Sequence, residues 1–569
     1  MAAAVNLDAL LKPGSVAVLG ASVRPSIGRS IIASLGMLGF PGTIYPVNPK
    51  YDEILGHPCY GSLEDLPAAP DVVAFCVGST RILENFRRLP ACGAGAAVIY
   101  DAGFAEAGEK GRERQDELVA ICRRAGIALL GPNSMGCLSP WNRATTYLTR
   151  LRDPEGLAGN VGLISQSGSV CIGLLGDIRR FGFSHVISSG NEAVVTTADY
   201  IDYLVDDPET RVIATFTETV NAPEQYVAAL DRAAAAGKPV VVLKVGRSER
   251  ARRAITSHTG GLSGEAAVFS EVLRAHRAIE VHDLDEMTEV LAACQAVRWP
   301  RGPRLAVATG SGGHAELMLD LAARNGIELP ALPPIQRAEI ETVIGRLTGD
   351  GNPTDFWGNG DHRTNLSHCL KVLREGAAYD ALVLCMDSHD HDPMAAEAMY
   401  DCVGLLRDSA AQSELPHYLM GTRPGILDTG LVGKLAEAGL ATLGGTHQGL
   451  LALDRLARWV GWRRRERAPT AGGKPVLAGL LAGTPGRRTI NEFDTKRALA
   501  ASGLPTVPEW WATSLDEALL AAEETGYPVV LKAAGDDLAH KTEHGLVRLD
   551  LREARELDMA WKDLQDTCG

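Results

Sequence analysis

The chain has 569 residues, 46% hydrophobic and 22% charged, which is the profile of a folded globular protein rather than a disordered or collagen-like one. At roughly 100 to 200 residues per domain, this length predicts several domains. The 56 Lys and Arg against 70 Asp and Glu leave a net charge of −14, which repels polyphosphate backbones and argues against a nucleic-acid partner.

Aromatic residues make up only 5% while Gly reaches 61, so flat stacking surface is scarce and sharp turns are plentiful. The 11 cysteines form no CxxC pair and do not cluster. Neither a disulfide framework nor a zinc ribbon is expected, no metal site is assigned, and the thiols suit a reducing cytosol. The N-terminal MAAAVNLDALLKPGSVAVLG lacks a basic region followed by a long apolar stretch, and no segment reaches about 18 unbroken apolar residues. A cytoplasmic protein with no membrane partner is expected.

Short apolar runs recur, each followed by a Gly/Ser/Asn-rich turn and an amphipathic stretch, which predicts a multidomain α/β fold with parallel sheets. The first block, 1–140, carries expected strands at Ser15–Leu19, Thr43–Val47, Val72–Val77, Ala97–Tyr100 and Ala128–Leu130. The second, 150–298, has strands at Val161–Ile164, Val186–Ser188, Val212–Phe216 and Val240–Val245. The third, 302–459, begins with Leu305–Ala308 and continues through Ala381–Cys385; its opening strand and turn are built like those of the second block. A linker is expected over 460–488, and the stretch 489–569 has a helix at Glu492–Ser502 and a strand at Pro528–Lys532.

The turn Gly20-Ala21-Ser22 after the first strand, with Gly28 beyond it, starts a helix whose free N–H groups and dipole favour a phosphate over a merely tight turn. A dinucleotide site would want Gly-x-Gly-x-x-Gly and an acid closing the second strand. This chain has Asn48-Pro49-Lys50 there, a cation, which fits a phosphate-bearing nucleotide such as coenzyme A better than NAD.

Most of the 14 histidines read as surface or satisfied core residues, His389 and His391 included. His258 differs: it lies in the small-residue run Thr256 to Gly264, after the strand Val240–Val245 and the basic stretch Arg247–Arg253. A mobile imidazole there suits covalent catalysis, and Glu218, closing a neighbouring strand, is placed to orient it and stabilise its charged form. A structural loop is the alternative.

These residues together resemble a known family. Gly20-Ala21-Ser22, Asn48-Pro49-Lys50, Gly131-Pro132-Asn133, Ser165-Gln166-Ser167-Gly168, Ser189-Gly190-Asn191, Glu218 and Ser257-His258-Thr259-Gly260 occur in the order found in the NDP-forming (ADP-forming) acyl-CoA synthetases, relatives of succinyl-CoA synthetase. Tyr527 to Lys532 and His540-Lys541 look like the opening of their ATP-grasp domain.

The resemblance implies a Rossmann-like CoA-binding domain over 1–140, two flavodoxin-like ligase domains over 150–298 and 302–459, and a partial ATP-grasp domain over 489–569. It implies the reaction of ATP, a small carboxylic acid and CoA to acyl-CoA, ADP and phosphate, through an acyl phosphate and a phosphohistidine. His258 would be the phosphorylated residue and Glu218 its stabiliser. Gly20, Ala21, Ser22, Lys50, Asp101 and Ala102 would hold CoA, and Lys532 would contact ATP. Asn133, Ser165, Gln166, Ser167, Gly168, Gly190, Asn191, Gly310, Ser311, Gly312 and Gly313 would line the phosphate and substrate pocket, where helix N-termini behind two of these turns supply N–H donors.

The family's ATP-grasp domain is longer than 489–569, and its Mg²⁺-binding carboxylates lie in its later half, so the Mg²⁺ ligands are expected outside this chain. A homo-oligomer such as a dimer is expected. Family members use acetate, other short acids, dicarboxylates, aryl acids and hydroxycinnamates; Trp357, in the aromatic pair Phe356-Trp357, either touches the substrate or packs in the core. Three other readings compete: a non-catalytic CoA or acyl-CoA sensor on the same scaffold, a serine hydrolase built on Ser165 to Gly168, which lacks the first Gly of a nucleophile elbow, and a dehydrogenase, disfavoured by Lys50.

Overall fold

Runs of Val, Ile, Leu and Ala too apolar to face water form the strands, and glycines close the helices between them. The computed structural model describes residues 5–568 apart from 150, 152–155, 177–179, 252–265, 359, 376–377, 390–392, 465–490, 502 and 536–543. The chain divides into two compact units, Met1–Arg465 and Glu466–Gly569.

The first unit holds three sheets. In the first, the order is Thr43–Val47, Ser15–Leu19, Val72–Phe75, Ala96–Ile99, Ala128–Leu130, all parallel. Val16, Val18, Val72 and Ala74 pack on Leu10, Leu11, Ile31 and Leu35 on one face, while Val73, Ala97 and Leu129 pack on Phe86 and Leu118 on the other. Burial of both faces explains why these strands are apolar throughout rather than alternating.

In the second sheet, five parallel strands run in the order Ile279–Val281, Val240–Lys244, Val212–Thr217, Ala158–Ser165, Phe183–Ser188. Gly136–Ser139 and Ala144–Thr145 then add antiparallel at the edge. Those two short strands follow the last strand of the first sheet, so the chain steps from one sheet into the next within a single turn.

The third sheet runs Thr354–Asp355, Leu305–Thr309, Ala381–Cys385, His417–Met420, Ala441–Leu443, again all parallel. In each parallel array the second strand lies on one side of the first and the third on the other. The loops leaving those strands therefore diverge, and a crevice opens at the carboxyl edge.

The second and third sheets share one apolar core, to which Val212, Leu243, Leu305, Tyr418 and the buried Trp459 contribute. The Glu289 carboxylate bridges this junction. Arg180 donates to Glu289 Oε1 at 2.7 Å, and Glu289 Oε2 accepts from the Gly444 N–H at 2.7 Å. Trp459 donates its indole N–H to the Arg277 carbonyl at 2.8 Å.

The second unit pairs Val529–Lys532 antiparallel with Val547–Leu551 and packs them with helices Leu515–Thr525 and Ala554–Cys568 around Ala518, Ala522, Leu551, Leu557 and Ala560. Among the described residues, no helix is long and apolar enough to cross a membrane.

Glu289 keeps only 6% of its surface exposed. Its replacement takes a buried carboxylate away from the Arg180 charge and an acceptor away from the Gly444 N–H. Glu289→Ala is expected to cost about 3 kcal/mol in denaturant unfolding of the first unit, and Glu289→Gln less, because an amide oxygen still accepts from Gly444. Equal losses in the two variants would refute this account.

Candidate functional site

The first crevice opens at the end of Ser15–Leu19. Gly20 has φ +88°, and a Cβ there would lie 2.4 Å from the Cys76 carbonyl oxygen, so no other residue fits. The Gly20 N–H donates to the Val47 carbonyl at 2.9 Å. Asn48 donates its side-chain N–H to the Ala21 carbonyl at 2.7 Å, and Asn48 Oδ1 accepts from the Lys50 N–H at 3.1 Å. The two loops are thereby one rigid rim, with the Ala21 side chain buried beneath it and Lys50 exposed on it. Helix Ile27–Leu38 starts at the same edge, capped by Ser26. A cation beside turn backbone suits a phosphate-bearing ligand. Asp101 and the exposed Ala102 follow Ala96–Ile99 on the same edge, and the Asp101 carbonyl accepts from the Asn133 N–H at 3.1 Å.

The second crevice is organised by Gln166, just beyond Ala158–Ser165. Gln166 Oε1 accepts from the Glu218 N–H at 2.6 Å and the Thr219 N–H at 2.9 Å, while Nε2 donates to Glu192 Oε1 and the Thr219 carbonyl, both at 2.9 Å. Glu192 also accepts from Ser189 Oγ at 2.9 Å and from the Thr197 N–H at 3.0 Å. Burial raises the Glu192 carboxyl above its ordinary range, and the hydrogen bonds from Thr197, Gln166 and Ser189 oppose that shift without cancelling it.

On the other side of Glu218, the Lys244 ammonium donates to the Glu218 carbonyl at 2.8 Å and to the Val245 carbonyl. The ammonium stands 5.7 Å from the centre of the Phe269 ring. Burial lowers Lys244 to about 8; the Glu218 carboxylate opposes this and the Arg247 charge adds to it. Glu218 is thus clamped at its N–H by Gln166 and at its carbonyl by Lys244.

The turn Gly131-Pro132-Asn133 locks into Ser189-Gly190-Asn191. The Asn191 N–H donates to the Pro132 carbonyl at 2.9 Å, and Gly190, at φ +63°, would place a Cβ 2.3 Å from the same oxygen. Asn133 donates its side-chain N–H to Asn191 Oδ1 at 3.4 Å, and Asn191 Nδ2 donates to Glu106 Oε2. Burial raises the Glu106 carboxyl, but the hydrogen bonds from Asn191 and from the N–H groups of Phe104 and Gly103 outweigh it and hold the group below its ordinary value. Ser165 Oγ donates to the Ser167 carbonyl at 2.7 Å and is fully buried, so it is a strut of the turn and no hydrolase nucleophile. Gly168 lets the turn approach Met135, whose Sδ would lie 2.2 Å from a Cβ. A chain of Ser139, His185 and Asp207 has the residue types of a catalytic triad, but all three are buried.

Gly310-Ser311-Gly312-Gly313 forms the corresponding turn of the third sheet. Ser311 caps helix Gly312–Asn325 by accepting from the His314 N–H at 3.3 Å. Trp357 lies against Gly310 and is 48% exposed, so it does not pack in the core. In the second unit, Lys532 pairs with Glu492 at 2.6 Å and Glu509 at 2.7 Å, and Lys496 with the same two carboxylates. Hydrogen bonds from Lys496, then Lys532, pull Glu492 down to about 2. The group lines a cavity of about 540 Å³ with Phe493, Trp510, Trp511 and Trp561, an apolar slot with two cations at its mouth that suits a nucleotide.

The structure therefore joins Asn133, Ser165, Gln166, Gly190, Asn191 and Glu218 in one network, and places Gly310 to Gly313 on a separate sheet. His258, His391, His540 and Lys541 lie outside the described residues. Glu192, Lys244 and Glu106 escaped the sequence reading. Lys244 left a legible trace, a lone charge ending an apolar strand.

Family models match the chain over 14–140 (CoA binding domain), 158–294 (succinyl-CoA ligase like flavodoxin domain) and 482–569 (ATP-grasp domain). Trans-feruloyl-CoA synthase FCS1, from an unknown prokaryotic organism, is 32% identical over 562 residues, 97% of this chain and 78% of that protein. The chain belongs to the ADP-forming acyl-CoA synthetase family.

This synthetase is also similar to the ADP-forming 4-hydroxybutyrate–CoA ligase of Nitrosopumilus maritimus strain SCM1, at 27% identity over 98% of this chain and 79% of that one. Among solved structures it resembles the dinucleotide-forming acetyl-coenzyme A synthetase 1 of Ca. Korarchaeum cryptofilum in complex with phosphate and ADP, with a TM-score of 0.70 at 27% identity over 81% of this chain and all of that chain. The synthetase is an acid–thiol ligase with CoA and ATP as substrates.

The Lys244 clamp has a pH signature. The folded synthetase releases this proton at about 8, the unfolded chain at a higher pH. Between those values the unfolded state holds more protons, so the contribution of this group to stability rises as pH climbs through about 8. In calorimetric melts from about pH 7 to about pH 9, the wild type is expected to gain on Lys244→Met; a constant gap between the two would show that Lys244 is not shifted.

Proposed function

We propose that the synthetase binds CoA at Gly20, Ala21, Ser22, Lys50, Asp101 and Ala102, binds ATP at Lys532, and carries the phosphoryl group on His258. In the synthetic direction an imidazole nitrogen of His258 takes the γ-phosphoryl group and ADP leaves. A carboxylate oxygen of the acid then attacks phosphorus, the N–P bond breaks, and an acyl phosphate forms. The CoA thiol attacks the acyl carbon, its proton passing to solvent or a base, and the C–O bond to phosphate breaks.

The observation that carries this reading is the clamp on Glu218. Its backbone is held from both sides, at the end of a strand adjoining Val240–Lys244, the strand that precedes His258 in sequence. A carboxylate fixed there can orient an imidazole and favour its charged form. Asn133, Gln166, Gly190 and Asn191 hold the frame, and the N–H groups at Ser167-Gly168 and at Gly310 to Gly313 face developing negative charge. The buried Lys244 adds a cation at the Glu218 carbonyl.

On this reading the domains run 1–140, 150–298, 302–459 and 489–569 with a linker at 460–488. The substrate is a small carboxylic acid, and the enzyme works in the cytoplasm as a homo-oligomer. Mg²⁺ accompanies ATP and supplies charge neutralisation to the transferred phosphoryl group. Among the described residues, no group of three His, Cys, Asp or Glu is placed to hold a metal ion, and no residue of this chain is assigned to it.

Incubation with radiolabelled ATP, or with a labelled acyl phosphate, is expected to place acid-labile label on the wild type and none on His258→Ala. Glu218→Gln should lower the labelling rate by about a hundredfold or more, the contribution of a positioned acid–base partner. Undiminished labelling of His258→Ala would sink the relay.

A further inference from the structure

The third sheet carries an aromatic feature that the phosphoryl relay does not use. Phe356 and Trp357 follow Thr354–Asp355, beside Leu305–Thr309. Phe356 is buried and its N–H donates to the Thr309 carbonyl at 2.9 Å, which anchors the loop to the sheet. The next residue faces the other way. Trp357 keeps 48% of its surface exposed in a chain with only 5% aromatic residues.

Its backbone is fully held: the N–H donates to Asp355 Oδ1 at 3.0 Å, and the carbonyl accepts from the Gly360 N–H at 2.8 Å and from Asn365 Nδ2 at 3.2 Å. The indole lies parallel to the His362 ring, 5.7 Å between centres and 10° between planes. His362 Nε2 is sealed from solvent and has no hydrogen-bond partner among the described residues, so this imidazole serves the stack rather than a polar network. Gly310 has no side chain, and a Cβ there would stand 3.6 Å from Trp357 Cε3. One carbon added at Gly310 would thus touch the indole edge, which stands beside the turn whose N–H groups would face the acyl phosphate.

A rigid, half-wet indole backed by a second ring is a platform. Water gains nothing from it, whereas a flat π-system laid on it buries area and gains an aromatic contact. A short aliphatic acid has no such face to offer.

We propose that Trp357, backed by His362, determines acid specificity by stacking the planar group of an aromatic carboxylic acid, of the benzoate or cinnamate type, whose carboxyl end lies toward Gly310 to Gly313. The inference rests on the reading of that turn as part of the acyl phosphate site.

The reverse half-reaction tests it through the relay alone. Acyl-CoA and phosphate give CoA and acyl phosphate, which phosphorylates His258 and releases the carboxylate. With labelled inorganic phosphate, cinnamoyl-CoA is expected to label the wild type faster than acetyl-CoA. Trp357→Ala should slow cinnamoyl-dependent labelling about tenfold, the size of one stacked aromatic contact, and leave acetyl-dependent labelling within about twofold. Trp357→Phe should restore most of the loss. Equal slowing with both acyl groups, or a wild type labelled by acetyl-CoA and not by cinnamoyl-CoA, would overturn the proposal. Absence of label with every acyl-CoA would overturn the relay itself, and with it this inference.

Discussion

The Gln166 side-chain amide is the joint on which the ligase crevice depends. Its oxygen takes two backbone N–H groups from the loop after Val212–Thr217, and its nitrogen gives both protons away, one to that loop and one to the Glu192 carboxylate. Its partners Glu192, Glu218 and Thr219 are buried, where an unmade hydrogen bond costs far more than a made one gains. The geometry of Glu218, Thr219, Ser189 and Thr197 is consequently decided together. The loops of three strands cannot shift separately, and the Glu218 carboxylate is held by structure rather than by chance.

A second constraint is the passage from the first sheet to the second. Because Gly136–Ser139 pairs antiparallel with Phe183–Ser188, the turn at Gly131 to Asn133 is pressed against Ser189 to Asn191, at a distance only glycine at 190 permits. Asn191 then bridges to Glu106, in the loop that follows Ala96–Ile99. The carboxyl edges of the first and second sheets are thus joined by hydrogen bonds. An enzyme that must deliver a thiol of one ligand to the acyl group of another needs such a fixed relation, since misplacement by an ångström is costly in rate.

On the proposed function both crevices accept anions in a protein of net charge −14. Local donors resolve the conflict: helix starts, tight glycine turns, Lys50 at the first crevice, Lys244 at the second. The second unit uses another device, since Lys532 and Lys496 are each balanced by Glu492 and Glu509. On the proposed function a triphosphate there competes with carboxylates for the same ammonium groups, which confines strong binding to ligands that bring several charges at once.

Much of this was legible in the residues alone. Parallel α/β architecture follows from apolar runs and glycine turns, and Ser15–Leu19, Thr43–Val47, Ala128–Leu130 and Ala381–Cys385 lie where the pattern puts them. Local chemistry also determines that Gly20, Gly190 and Ser165 make turns and that Lys50 stands where an NAD site would want an acid. Other strands carry no such signal: Gly136–Ser139 is only four residues long and Ala441–Leu443 only three, too short for a period to show. Glu192, Lys244 and Glu106 were invisible as partners because a contact between residues distant in sequence leaves no trace in spacing. Motif and turn chemistry are properties of neighbours along the chain; which carboxylate is buried, which lysine loses its proton early and which tryptophan stays in water depend on what the fold packs around them, and only the tertiary structure decides that.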